Sequence, residues 1–326
     1  MENTMKKILI SLASIAIANI SFAQTKWDLP SGYGANTFQV QNLTQFAADV
    51  DKATTGKLKI TVHPNASLFK ANEIKRAVQS GQTQSGEFIL SLYSNEAPVF
   101  GVDSIPFLAT SYADSKRLDT ASRDLLVKTL AAQGIMLLYT VPWPPQSLYS
   151  KKALTKLADL KSTKMRAYNP ATSFIATAVG AQPVTIQLAE LPAALATGGA
   201  DNFLTSTSSG IDSKLYESVK FFYDVNAWLP RNAVVVNQKA FDALDKAAQN
   251  AVLQQAAAAE ARGWQISEKN NADNLKELAA KGMKIDTVVG EALKKELKPI
   301  GDTMTADWLK LAGTDGKAII DAYNKK

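Results

Sequence analysis

The 326-residue sequence predicts an α/β protein built from two lobes with a ligand cleft between them. Three observations lead to this fold class. Strand-like and helix-like segments alternate after residue 23, an order typical of sheets that carry helices on both faces. Three prolines within residues 142–145 separate two such series, because proline continues neither a helix nor a central strand. An alanine-rich helical stretch follows at residues 239–281.

In the first series, the spacing of apolar residues indicates alternating elements. In order, these are a helix that begins near Leu43 and ends at Gly56, a strand over 58–62, a helix over 74–81, a buried strand over 88–92 and a helix over 113–133. Residues 135–141 are apolar without interruption, which is typical of a central strand in a parallel sheet.

The second series has the same alternating character. It predicts strands over 165–168, 183–186 and 201–204, helices over 171–179 and 187–196, and a further strand over 234–236. Residues 239–281 form either one very long helix or two abutting helices, and residues 284–326 one strand and two helices. We assign residues 24–145 and about 233–275 to lobe I, and residues 146–232 and about 276–326 to lobe II.

The first 23 residues have the features of a secretory signal peptide. Lys6 and Lys7 precede an apolar run over residues 8–20, and the small residues Ser21 and Ala23 stand at positions −3 and −1 of a cleavage site. A membrane anchor needs about 20 apolar residues, so this run is too short for one. We therefore expect cleavage after Ala23 and a periplasmic protein.

The residue inventory excludes most enzyme chemistry. The chain has no cysteine and a single histidine, His63, so thiolate nucleophiles, multi-histidine metal sites and a Ser-His-Asp triad are disfavoured. It lacks the phosphate-binding and hydrolase motifs GxxxxGK[ST], GxGxxG, GxSxG and HExxH. The net charge is +6, but lysines and arginines cluster only in pairs, unlike a nucleic-acid-binding surface. We expect a protein that is not an enzyme and uses no cofactor or metal.

Several short segments, in a fixed order and spacing, then carry a family resemblance. They include residues 56–60 (GKLKI), 73–81 (EIKRAVQSG), 103–107 (DSIPF), 165–169 (MRAYN) and 180–184 (GAQPV). With them, the chain resembles the extracytoplasmic solute-binding subunits of TRAP transporters, the family of C4-dicarboxylate- and sialic-acid-binding proteins. The resemblance covers essentially the whole chain after the signal peptide.

The resemblance implies a two-lobed periplasmic-binding-protein fold that closes about a hinge on a central cleft, with a long helix bracing both lobes. It implies that the protein, as a monomer, captures an organic acid and delivers it to TRAP membrane subunits driven by an ion gradient. The binding subunit of another importer class and a periplasmic ligand sensor remain alternatives, because closure around a ligand serves these roles equally well.

The resemblance also points to Arg166 as the anchor for a substrate carboxylate. A guanidinium is always charged and offers a planar fork that binds a carboxylate bidentately. Asn169, which follows Tyr168, either bonds the ligand or caps the next helix. Thr205 occupies a position where family members often place a binding asparagine.

Gln146 departs from the pattern of some family members, which carry a second arginine there. A single arginine favours a monocarboxylate. The aromatic residues near predicted strand ends and crossings are candidates for contacts with an apolar or aromatic ligand body, or else ordinary core residues; they are Trp143, Tyr149, Tyr168, Phe203 and Trp228.

Glu87 and Phe88 match pocket positions of the family in the first lobe. Glu87 either accepts a hydrogen bond from a ligand hydroxyl or amine, or is paired within its own lobe.

Overall fold

The computed structural model describes residues 24–325; the predicted signal peptide and its cleavage site lie outside this range. The described strands are β1 (Thr25–Pro30), β2 (Leu58–His63), β3 (Ser85–Ile89), β4 (Ile135–Pro142), β5 (Ser147–Ser150), β6 (Lys164–Ala167), β7 (Gln182–Thr185), β8 (Asn202–Thr205), β9 (Phe221–Tyr223), β10 (Arg231–Asn237) and β11 (Lys284–Asp286). The helices are α1 (Phe38–Ala53), α2 (Ile74–Ser80), α3 (Tyr112–Ala131), α4 (Pro170–Ala178), α5 (Leu191–Ala196), α6 (Thr207–Asp212), α7 (Gln238–Asp242), α8 (Lys246–Ala280) and α9 (Thr287–Asn324).

The strands divide into two groups that correspond to two lobes. The first lobe holds the parallel pair β1-β2 and a three-stranded sheet in the order β3-β10-β4. The second lobe holds one six-stranded sheet in the order β11-β9-β5-β8-β6-β7. Because β10 follows β9 in sequence but pairs in the first lobe, the chain crosses between the lobes more than once. The mixed α/β fold agrees with the predicted class, while the predicted residue boundaries of the lobes stay a prediction.

Two of the predicted elements need correction. Strand β4 is not a central parallel strand: it is antiparallel to β10 and lies at the edge of its sheet. Helices α3 and α8 both pack on β4, so both of its faces are buried, and an edge strand covered in this way has the same apolar pattern as a central one. The predicted strand over 88–92 ends at Ile89, and the chain continues as a 3₁₀ turn at Leu90–Tyr93.

Two long helices contact both lobes. Helix α8 packs on α1 and β4 of the first lobe and on α6 of the second. Helix α9 contributes Leu293 and Leu297 to the core of the second lobe, and Trp308 and Ile319 to the core of the first. Near the middle of α9, a Cβ at Gly301 would lie 2.6 Å from the carbonyl oxygen of Pro106, so only glycine allows this approach. Both helices brace the two lobes, whereas the family resemblance implied one such helix.

Within residues 24–325, none of the helices combines the length and the apolar character that crossing a bilayer requires.

Candidate ligand-binding site

A partly open cavity of about 40 Å³ lies between the two lobes. The first lobe and the crossings contribute Gly32, Tyr33, Ala71, Ile89, Trp143, Gln146 and Pro230 to its lining, and the second lobe contributes Arg166, Tyr168, Gln187, Leu188, Thr205 and Ser209.

Arg166 places a buried positive charge against this cavity. Its side chain is 3% exposed, and its Nε donates a hydrogen bond to the backbone oxygen of Ile186 at 2.9 Å. Its Cζ lies 4.6 Å from the ring centroid of Tyr168. Among residues 24–325 no carboxylate forms an ion pair with it. Burial lowers the pKa of Arg166 to about 10, so the guanidinium is charged at neutral pH and lacks a counter-charge.

The local fold explains why Arg166 reaches the cavity. It lies in β6, where it is in register with Val184 of β7 and Phe203 of β8, and all three strands are parallel. Ligands in α/β folds bind beyond the carboxyl ends of such strands. Thr205 ends β8 at the same edge and also lines the cavity.

Asn169 forms hydrogen bonds to both lobes. Its Oδ1 accepts from the backbone N–H of Thr172 at 2.8 Å and so caps α4, with Pro170 in the first turn. Its Nδ2 donates to Ser91 Oγ of the first lobe at 2.8 Å. Asn169 does not line the cavity that contains Arg166; it lines a neighbouring opening instead. The helix-cap alternative is therefore the geometry that the structure shows.

Tyr33 and Trp143 form what we call the aromatic wall of the cavity. Their ring centroids are 5.0 Å apart in an edge-to-face arrangement. Both side chains donate to Oδ1 of Asn232, Trp143 through Nε1 at 2.9 Å and Tyr33 through its hydroxyl at 3.3 Å. Gln146 lies near this wall, and its Oε1 accepts from the Tyr168 hydroxyl at 3.4 Å.

Half of the predicted site residues lie together at the cavity. These are Trp143, Gln146, Arg166, Tyr168 and Thr205. They approach from two lobes and from three separate segments, so their proximity is a property of the fold.

The remaining predicted residues lie elsewhere. Phe88 packs edge-to-face on Tyr93 in a first-lobe core, and Phe203 stacks on Tyr149 in a second-lobe core. Trp228 is fully buried in the other second-lobe core. Phe203 and Trp228 have the core placement that the sequence left open as the alternative, whereas Phe88 was expected at the pocket and does not line this cavity.

Glu87 lies behind the aromatic wall and does not line the cavity. Its Oε2 accepts from Ser31 Oγ at 2.6 Å and its Oε1 from Asn232 Nδ2 at 2.9 Å. Burial raises the pKa of Glu87 to about 7, and these two hydrogen bonds lower it only in part.

The sequence did not single out three polar residues of the lining: Tyr33, Gln187 and Ser209. Tyr33 follows β1, a strand that the apolar spacing did not reveal. Ser209 lies in the first turn of α6, and Ser206 caps this helix.

In the part of the chain that the structure describes, no three acidic or histidine side chains group in a way that would hold a metal ion. The groups at the cavity are instead one guanidinium, aromatic rings, amides and hydroxyls, which suit an organic anion.

The family model of the bacterial extracellular solute-binding proteins, family 7 (DctP), matches residues 31–307. The chain belongs to this family. Several solved structures similar to this chain are TRAP solute receptors that bind organic acids, and delivery to a permease is the family role. The expected fold and the expected role in solute binding are thereby confirmed.

Three solved structures are especially similar. DctP6 of Bordetella pertussis, a solute receptor binding pyroglutamic acid, is 53% identical, with a TM-score of 0.90 over 93% of this chain and 100% of that chain. A TRAP solute-binding protein from an unidentified marine microbe, specific for pyroglutamate, is 45% identical, with a TM-score of 0.90 over 93% and 100%. DctP7 of B. pertussis, also binding pyroglutamic acid, is 44% identical, with a TM-score of 0.90 over 92% and 100%.

Proposed function

We propose that this TRAP solute-binding protein captures pyroglutamate, a cyclic monocarboxylate, in the cavity between its lobes and delivers it to the membrane subunits as a monomer. The buried guanidinium of Arg166 is the observation that carries this proposal. A buried charge without a partner is costly, and a protein retains one where a ligand of opposite charge completes the pair.

The lining of the cavity suits the two ends of pyroglutamate. Its carboxylate pairs with the single guanidinium of Arg166. Some family members carry a second arginine where this chain has Gln146, and a second arginine would favour a ligand with two carboxylates. Its five-membered ring is flat and compact, as the aromatic wall and the ring of Tyr168 require. Its lactam N–H and C=O need one acceptor and one donor, and Gln187, Thr205 and Ser209 offer both kinds.

The three pyroglutamate-binding relatives support the ligand assignment. They are 44–53% identical to this chain over more than nine-tenths of its length. The buried anchor and the cavity between the lobes support it independently, because both are features of this chain.

We also propose that the mature protein is located in the periplasm. Residues 1–23 direct export, cleavage follows Ala23, and the mature protein acts in the periplasm. Mass spectrometry of the protein purified from the periplasm tests this directly: the expected N-terminus is Gln24, whereas a retained Met1 would contradict it.

Calorimetric titration tests the ligand. The exported protein is unfolded in guanidinium chloride and refolded to remove carried-over ligand, and is then titrated with L-pyroglutamate, 2-pyrrolidinone, L-proline and succinate. We expect tight binding of L-pyroglutamate alone, because 2-pyrrolidinone lacks the carboxylate, proline carries an ammonium in place of the lactam, and succinate needs a second cation. Tight binding of succinate without binding of pyroglutamate would overturn the assignment.

A further inference from the structure

Asn232 of β10 connects the aromatic wall to the buried carboxyl group of Glu87. Its Oδ1 accepts from Trp143 and Tyr33, and its Nδ2 donates to Glu87 Oε1. Asn232 and Glu87 are each 1% exposed. Neither residue lines the cavity, so each acts on a ligand only through the wall.

Hydrogen-bonding chemistry allows the Asn232 amide a single orientation. An indole Nε1–H only donates, so the group that faces Trp143 must be the amide oxygen. The amide nitrogen then faces Glu87, which offers an oxygen acceptor. An amide rotated by 180° would set two donors against each other at Trp143 and two acceptors against each other at Glu87.

Glu87 reaches Tyr33 by a second route. Ser31 Oγ donates to Glu87 Oε2 at 2.6 Å and accepts from the backbone N–H of Tyr33 at 3.2 Å. Both the hydroxyl and the backbone of Tyr33 are thus tied to the same carboxyl group. Among residues 24–325 no lysine, arginine or histidine pairs with Glu87. Its side-chain partners are Ser31 and Asn232, which in turn bond to the residues of the wall.

We propose that Glu87 and Asn232 are positioning residues that set the ring size the site accepts. Glu87 fixes the amide of Asn232, and the amide fixes Tyr33 and Trp143 at a set distance from the ligand ring. The carboxylate anchor Arg166 is separate, so this pair controls which ring fits rather than whether an acid binds. The inference rests on the proposed function, since it assigns the wall to the ring of that ligand.

The test compares pyroglutamate with 6-oxopiperidine-2-carboxylate, which has the same carboxylate and lactam but one more methylene in its ring. The wild type is expected to prefer pyroglutamate by about 10- to 200-fold, the usual discrimination for one methylene in a fitted pocket. Glu87→Leu removes the acceptor for Asn232 and is expected to reduce this preference about tenfold. Glu87→Gln keeps an acceptor oxygen and is expected to restore most of the preference.

A second readout needs no ligand. The ¹⁵N-labelled indole N–H signal of Trp143, identified with Trp143→Phe, reports its hydrogen bond to Asn232. We expect this signal to shift in Glu87→Leu and to return toward its wild-type position in Glu87→Gln. The signals of Trp264 and Trp308, whose indoles donate to backbone oxygens of Thr140 and Pro98, are internal controls that should not move.

The outcomes separate this inference from the proposed function. If the wild type binds neither lactam, the proposed ligand is wrong, and the Trp143 signal still tests the positioning. If Glu87→Leu leaves both the ring preference and the Trp143 signal unchanged, the positioning role is wrong. Should Glu87→Leu fail to fold, Tyr33→Phe removes one hydroxyl from the same network. A lowered preference in that variant supports the inference, and an unchanged preference overturns it.

Discussion

The guanidinium of Arg166 lies over the ring of Tyr168, with 4.6 Å between Cζ and the ring centroid. This contact and the hydrogen bond from Nε to Ile186 hold the side chain at two points. No residue within 24–325 accepts a hydrogen bond from the two Nη atoms of Arg166, so the part of the guanidinium that grips a carboxylate is available.

Replacing Arg166 should abolish most of the affinity for pyroglutamate. Loss of one partner of a buried charge pair costs about 2–5 kcal/mol, so Arg166→Met should raise Kd about 30-fold to several-thousand-fold. Arg166→Lys should recover only part of this, because an ammonium cannot bind a carboxylate bidentately. Arg262→Lys is the matched control: Arg262 pairs with Asp49 away from the cavity. Equal affinities for Arg166→Met and the control, measured by calorimetry, would show that the anchor lies elsewhere.

The same replacement should stabilise the protein when no ligand is bound. Burial lowers the pKa of Arg166 from 12.5 to about 10, and a depressed folded-state pKa of a base is a penalty at every pH below it. The difference corresponds to about 3 kcal/mol at neutral pH. Because the Nε hydrogen bond and the ring contact are lost as well, Arg166→Met should raise the free energy of unfolding by about 1–2 kcal/mol. Urea denaturation of the ligand-free proteins measures this, and a less stable variant would contradict it.

Asn169 should contribute to stability through its cap and to affinity through its bond to Ser91. Asn169→Ala removes both and should lower the free energy of unfolding by about 1 kcal/mol. Ser91→Ala removes only the hydrogen bond between the lobes, so it should weaken ligand binding with little loss of the cap. Comparing the two variants in denaturation and in calorimetry separates these effects. If Ser91→Ala binds the ligand as tightly as the wild type does, the bond between the lobes plays no part in closure.

Stability should fall as the pH rises from 5 to 8, in part because of Glu87. The folded-state pKa of Glu87 is about 7, above its ordinary 4.5, because of burial. The protonated carboxyl group of Glu87 therefore stabilises the folded state fully below about pH 4.5, and this stabilisation is lost as the pH rises toward 7.

The side chain in Glu87→Gln cannot ionise. Between pH 5 and pH 8 the free energy of unfolding of this variant should therefore fall by about 2 kcal/mol less than that of the wild type. Asp212→Asn is a matched comparison, since burial, with a smaller effect from Glu277, also raises the pKa of Asp212 to about 7. Asp212→Asn should likewise reduce the fall in the free energy of unfolding between pH 5 and pH 8. An unchanged pH dependence of unfolding in Glu87→Gln would contradict the buried, weakly compensated state of this carboxyl group.

The sequence predicted the elements with strong periodicity and missed those without it. Helices α2 and α3 begin within one residue of the positions that apolar spacing and glycine stops indicated. Strand β9 has only three residues and β5 only four, so no alternation could be seen in them. Strand β1 is as long as β2, but only Trp27 and Leu29 alternate with polar residues before Pro30 ends it.

The sequence predicted only part of the candidate site. Arg166 could be named because of the family resemblance. Trp143 of the aromatic wall was also named, but Tyr33 and Asn232 could not be, since residues 33, 143 and 232 come together only when β10 returns to the first lobe. Glu87 and Phe88 are neighbours in β3 and therefore point to opposite faces, and local sequence does not show which face meets the ligand.

A crystal structure of the refolded protein with L-pyroglutamate would show directly whether Arg166 anchors this ligand between the lobes. We expect both carboxylate oxygens within hydrogen-bonding distance of the Nη atoms of Arg166, and the ring against Tyr33 and Trp143. A ligand whose carboxylate contacts another cation, or one bound outside this cavity, would contradict this expectation.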